Sequence, residues 1–188
     1  MFCPATLAER MNAFILHGLG GSSQENWFPW AKCELEERGH TVIVPDFPAA
    51  EHPTYAAWEK HLDRFAQHIT GETTFIGHSL GCPFGLRYLG NKKKTLHHFI
   101  LVAPPFENLG WKELRDMFQE FPPKDAAKTA KHFTIFASDN DPYIPLEHVR
   151  KYEELLGMKA TILKNREHLW QETLPELVSA MSKKINNQ

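Results

Sequence analysis

Gly77-His78-Ser79-Leu80-Gly81 carries the clearest chemical content, because it matches G-x-S-x-G, the nucleophile elbow. A hydroxyl is a weak nucleophile, so a reactive serine must project from a strained strand-to-helix turn. There the N–H of the next residue faces the reacting carbon. Flanking glycines let neighbouring backbone come close without a Cβ clash. The pentapeptide lies between Thr73–Ile76, which reads as a strand, and Leu80–Leu89, which reads as a helix ending at Gly90. Ser79 is therefore the candidate nucleophile, and it needs a base with a third group to orient that base.

The chain has 11 histidines, so position must select the base. His168, in Asn165-Arg-Glu-His-Leu169, falls between the last predicted strand and the last predicted helix. Asp141, in Ser138-Asp-Asn-Asp-Pro-Tyr143, follows the preceding strand, with Asp139 as a rival two residues away. Serine, acid and histidine then stand in the chain order expected when all three come from the carboxyl ends of parallel strands.

The elements that must position these residues alternate. Asn12–His17, Thr41–Val44, Thr73–Ile76, His98–Ala103, His132–Ala137 and Ala160–Leu163 read as buried strands. Between and after them, Trp27–Arg38, Tyr55–Ile69, Leu80–Leu89, Leu146–Leu156 and Leu174–Ile185 have helical spacing. Thr54 is placed to cap the second helix, and Gly39 and Gly157 to end the first and fourth. Strand then helix, repeated, predicts an α/β fold of three layers, with helices on both faces of a parallel sheet. The irregular stretch 104–131 holds Phe106, Trp111, Phe118 and Phe121 around an expected short helix, Trp111–Glu120. It would form a short cap over a pocket.

Length and composition agree. The chain of 188 residues reads as one domain over 1–188. A domain of that size buries roughly 70% of its unfolded surface. Hydrophobic residues make up 42% and charged residues 23%, which excludes disorder. A formal net charge of −2 argues against nucleic acid as a partner. No apolar run reaches the roughly 18 residues of a membrane span, and Met1–Met11 does not read as a signal peptide. Three cysteines, Cys3, Cys33 and Cys82, without metal or redox spacing, fit a reducing compartment, the cytoplasm.

Taken together, these pieces resemble the small α/β-hydrolases of the serine hydrolase family that includes retinoblastoma-binding protein 9 and YdeN-type proteins. The resemblance rests on His17-Gly18, Trp27 and Trp30, Gly77–Gly81, Ser138–Pro142 with Pro145, and His168. It implies Ser79 as nucleophile, His168 as general base and Asp141, the aspartate before proline, as orienting acid. It also implies a six-stranded sheet in the order 2-1-3-4-5-6 without a large lid. The oxyanion donors would be the N–H groups of Leu80 and of Leu19, in a loop similar to the oxyanion loop of the superfamily.

Other residues read as structural. Asp139 braces its turn, and His17 braces its loop through hydrogen bonds. His78 is the variable elbow position, and Cys82 belongs to the core. His97 and His98 have no ligand partner at metal spacing, and Lys92–Lys94 is a solvated loop. Trp170 either walls the pocket or packs under the last helix. The Asp-Asn-Asp run lacks the glycine and distal glutamate of a Ca²⁺ loop, so no metal is expected. No cofactor is expected either, because the glycine loop after the first strand lacks the Gly-Lys-Ser/Thr of a phosphate site.

The expected activity is cleavage of a small ester or amide through an acyl-enzyme. A short cap and few aromatics near the site favour a short acyl group. The alternative is an interaction module with little turnover, although Leu-x-Cys-x-Glu does not occur around Cys33.

Overall fold

The computed structural model describes residues 11–182. Six parallel strands form the sheet: β1 Asn12–Leu16, β2 Thr41–Ile43, β3 Thr74–His78, β4 Leu96–Val102, β5 Ala130–Ser138 and β6 Thr161–Leu163. Their order is β2-β1-β3-β4-β5-β6, as expected. The central strands are apolar on both faces because helices cover both. Phe14, Leu16, Phe75, Phe99 and Leu101 pack on one side, and Ala13, Ile15, Ile76, Ile100 and Val102 on the other.

The helices are α1 Phe28–Glu37, α2 Tyr55–Leu62, α3 Gly81–Lys92, α4 Leu146–Leu156 and α5 Pro175–Ser182. Thr54 Oγ1 accepts the N–H of Ala57 and so caps α2, while Gly157 ends α4 at φ +66°. The expected continuation of α5 to Ile185, like Cys3 and the first ten residues, lies outside the described residues.

Three expected boundaries are corrected. The segment expected to be helical to Ile69 is α-helical only to Leu62 and tightens into a 3₁₀ helix over Asp63–His68. There the Asp63 carboxylate is held by the Tyr88 hydroxyl at 2.9 Å and by Lys92 at 2.8 Å. Helix α3 does not end at Gly90 but runs on to Lys92, and Lys93 makes the left-handed turn. Gly90 is needed for packing instead, since a Cβ there would meet Pro123 at 2.6 Å. Lys92 is accordingly a helical residue, paired with Glu59 and Asp63, rather than part of a solvated loop.

The third correction concerns the cap. In place of a helix over Trp111–Glu120 there are two 3₁₀ turns, Lys112–Leu114 and Asp116–Phe118. The Asp116 carbonyl accepts from the Arg87 guanidinium at 2.6 Å, and its carboxylate accepts the N–H of Tyr55. Those partners on α3 and α2 pin the segment to the body of the fold, with Leu114 and Met117 buried beneath it.

Candidate active site

Ser79 stands between the end of β3 and the start of α3 with φ +50°, the left-handed backbone of a strained turn. Three close approaches surround this turn, each at a glycine, and those at Gly77 and Gly81 leave no room for a Cβ. A Cβ on Gly81 would overlap the Leu16 carbonyl, one on Gly77 would lie 2.8 Å from the Cys82 nitrogen, and one on Gly18 would lie 3.0 Å from Ser79 Cβ. The turn is further held by the Ser79 N–H, which donates to the Val102 carbonyl at 2.9 Å.

Asp141 and His168 lie in the loops that follow β5 and β6. Asp141 Oδ1 accepts the N–H groups of Tyr143 and Ile144, at 2.9 and 3.0 Å. Its Oδ2 lies 2.8 Å from His168 Nδ1. A carboxylate accepts, so Nδ1 carries a proton here, and in the neutral tautomer Nε2 holds the lone pair. Asp139 does not touch the imidazole. Its Oδ1 accepts the N–H of Asn165 at 2.8 Å, which makes it a brace, as expected.

Ser79, Leu80, His168, Gly18 and Leu19 line one cavity of about 310 Å³ at the carboxyl edge of the sheet. Among the described residues the N–H groups of Leu19 and Leu80 have no hydrogen-bond acceptor. His17 holds the loop that carries Leu19: it accepts the N–H of Phe47 at Nε2 and donates from Nδ1 to the Gly18 carbonyl. Burial lowers its pKa, which keeps the ring neutral for that double role. Cys82, fully buried with its thiol on the Gly77 carbonyl, belongs to the core as expected, and burial pushes its pKa up.

The expectation of few aromatics near the site is wrong. Trp111 (42% exposed), Tyr143 (45%) and Trp170 (38%) all line the cavity and account for three of the four large hydrophobic residues that stand exposed among the described residues. Tyr143 meets Trp111, Trp170 and His168 edge-on, at 6.5, 5.7 and 5.2 Å between ring centres. Trp170 does wall the pocket, one of its two expected placements, but loops far apart in sequence bring the three together, so no local pattern announced the grouping.

Sequence reasoning also missed what holds the base from below. His78 donates from Nε2 to the His168 carbonyl at 2.9 Å, and Trp27 donates from Nε1 to the Leu169 carbonyl at the same distance. The available signal was a polar residue beside the candidate nucleophile and a tryptophan at the start of the first expected helix, whose N–H requires a partner once the ring is buried.

Residues 13–174 match the family described as Serine hydrolase. The chain belongs to that family. Among curated proteins it is similar to the YdeN hydrolase of Bacillus subtilis strain 168, with 33% identity over 70% of this chain and 72% of that one. It is also similar to the serine hydrolase RBBP9 of Rattus norvegicus, with 24% identity over 92% and 94% of the two chains. The crystal structure of the ydeN gene product superposes with a TM-score of 0.81 at 24% identity, covering 92% of this chain and 97% of that one. Est1E of Butyrivibrio proteoclasticus, with ferulic acid bound, gives a TM-score of 0.72 at 18% identity over 91% and 86%. These two structures share the fold.

Among the described residues no helix is long and apolar enough to cross a membrane. Nor does any group of three or more His, Cys, Asp or Glu residues there offer a metal site.

Proposed function

We propose that this member of the serine hydrolase family cleaves a small ester or amide by two-step acyl transfer, as a carboxylesterase-like enzyme of the cytoplasm. Ser79 Oγ attacks the carbonyl carbon while His168 Nε2 takes its proton. Asp141 holds the imidazole in the required tautomer and stabilises the imidazolium. The N–H groups of Leu19 and Leu80 receive the charge that develops on the carbonyl oxygen. The imidazolium then protonates the departing alcohol or amine. Water, deprotonated by His168, releases the acid from Ser79.

One observation carries this reading: a serine on a left-handed strand-to-helix turn shares a cavity with a histidine whose Nδ1 is held at 2.8 Å by a carboxylate. Leu19 and Leu80 both line that cavity and have unpartnered N–H groups, which supports the oxyanion role. Ester cleavage is favoured over amide cleavage because esters have the better leaving group. The free thiols of Cys33 and Cys82 fit a reducing compartment.

The test is labelling of the purified protein with a fluorophosphonate probe. Labelling that disappears in Ser79→Ala and falls steeply in His168→Ala is the expected result. A folded wild-type protein that resists the probe would favour the interaction module instead.

A further inference from the structure

Four consecutive side chains, the last of β5 and the three that follow it, each hold a different one of four consecutive residues after β6. Asp139 Oδ1 accepts the N–H of Asn165 at 2.8 Å, Ser138 Oγ that of Arg166 at 3.0 Å, and Asn140 Oδ1 that of Glu167 at 2.9 Å. Asp141 Oδ2 completes the set with the Nδ1–H of His168 at 2.8 Å. The Ser138 hydroxyl also lies 2.8 Å from Asn140 Oδ1; its proton points there while its lone pairs receive Arg166.

The physical need for this clasp lies in the backbone. Main-chain pairing between β5 and β6 ends where the Asp139 N–H reaches the Leu163 carbonyl, at 3.0 Å. Beyond that point Asn165, Glu167 and Leu169 have φ values of +54°, +48° and +53°. Non-glycine residues keep such a conformation only where their surroundings hold it. A chain bent in this way cannot continue the ladder, so its N–H groups need acceptors from elsewhere. Ser138, Asp139 and Asn140 supply them. On the other side, His78 and Trp27 hold the carbonyls of His168 and Leu169.

We infer that Ser138, Asp139 and Asn140 are positioning residues for His168, fixing the loop backbone so that its imidazole meets Ser79 in the geometry acyl transfer requires. The inference rests on Ser79, Asp141 and His168 acting as proposed. Asp141 makes one bond to the ring and sets its direction. Where the ring starts is set by the backbone at Glu167 and His168. A misplacement of about 1 Å is enough to slow such a reaction on the order of 10²-fold. Asp139 and Asn140 are exposed, so removing either side chain opens no cavity in the core.

The experiment compares fluorophosphonate labelling rates of the full chain with those of Asp139→Ala, Asn140→Ala and the conservative Asp139→Asn and Asn140→Asp, which keep an acceptor oxygen. The alanine variants should melt within about 5 °C of the wild type and label roughly 10- to 100-fold more slowly. The conservative variants should recover most of the rate. The far-downfield proton resonance of His168 Nδ1–H should be present in the wild type and broaden in the alanine variants.

Alanine variants that label at the wild-type rate and keep a sharp resonance would overturn the inference. So would a loss that the conservative variants do not restore. A wild type that does not label at all would overturn the underlying hydrolase reading instead. The His168 resonance would then decide by itself whether the clasp holds the ring.

Discussion

His78 donates its Nε2–H to the main-chain carbonyl of His168 at 2.9 Å, so the residue before the candidate nucleophile anchors the backbone of the candidate base. The two imidazoles lie 4.9 Å apart between ring centres, and Trp27 and Phe28 meet His78 edge-on. Enclosed in this way, His78 is denied water and its pKa is pushed down to about 3.

That burial sets the direction of acid sensitivity. When unfolded, His78 binds a proton below its ordinary value of 6.5; when folded, it does so only below about 3. The unfolded state therefore holds more protons throughout that window. Stability is fully present above pH 6.5 and is lost as the pH falls towards 3, by about 1.4 kcal/mol per pH unit for each such group. His98, pushed down to about 4 by burial, adds to the same slope. Urea midpoints should fall between pH 7 and pH 4.5, and less steeply in His78→Gln. Equal midpoints at the two pH values would contradict the assignment.

Asp141→Asn should be severe without unfolding the protein. Tyr143 and Ile144 both donate to Oδ1, so the amide oxygen of asparagine takes that place and its NH₂ faces His168. Nδ1 must then accept, which moves the imidazole proton to Nε2, where it cannot receive a proton from Ser79. Turnover of an activated ester should fall roughly 10⁴-fold with little change in melting temperature.

The glycines around Ser79 should separate by what they touch. Gly81→Ala sets a methyl group against the Leu16 carbonyl and should destabilise by about 1–3 kcal/mol or more, measured by urea unfolding. Gly18→Ala brings a methyl group to 3.0 Å from Ser79 Cβ and 3.5 Å from its Oγ. It should slow fluorophosphonate labelling while leaving most of the stability in place.

Trp111, Tyr143 and Trp170 form the apolar mouth of the cavity, so they should act on substrate binding rather than on proton transfer. Tyr143→Ala should raise KM for p-nitrophenyl butyrate more than for p-nitrophenyl acetate. A full butyryl chain gains roughly 0.8 kcal/mol for each CH₂ it buries. Equal effects on the two esters would place the acyl group elsewhere.

The strand and helix alternation, the elbow Gly77–Gly81 and the order of Ser79, Asp141 and His168 were all legible in the chain, because each is a local pattern with a local physical cause. Periodicity places a residue on a strand, and glycines mark where backbone must pass close. A polar residue just after a strand stands at the carboxyl edge. Local reading failed where the deciding partner is distant. The Trp111–Glu120 helix gave way to two turns because Asp116 finds Arg87 and Tyr55, on two other elements. Gly90 reads as a helix end until Pro123 is seen against it. The pairing of Ser138–Asp141 with Asn165–His168, and the gathering of Trp111, Tyr143 and Trp170 at one mouth, exist only once β5 and β6 lie side by side. Hydrogen bonds and ring contacts act over a few ångströms in space, whatever the separation along the chain. The sequence by itself determined which groups could react; the tertiary structure decided which backbone holds them and what walls face the substrate.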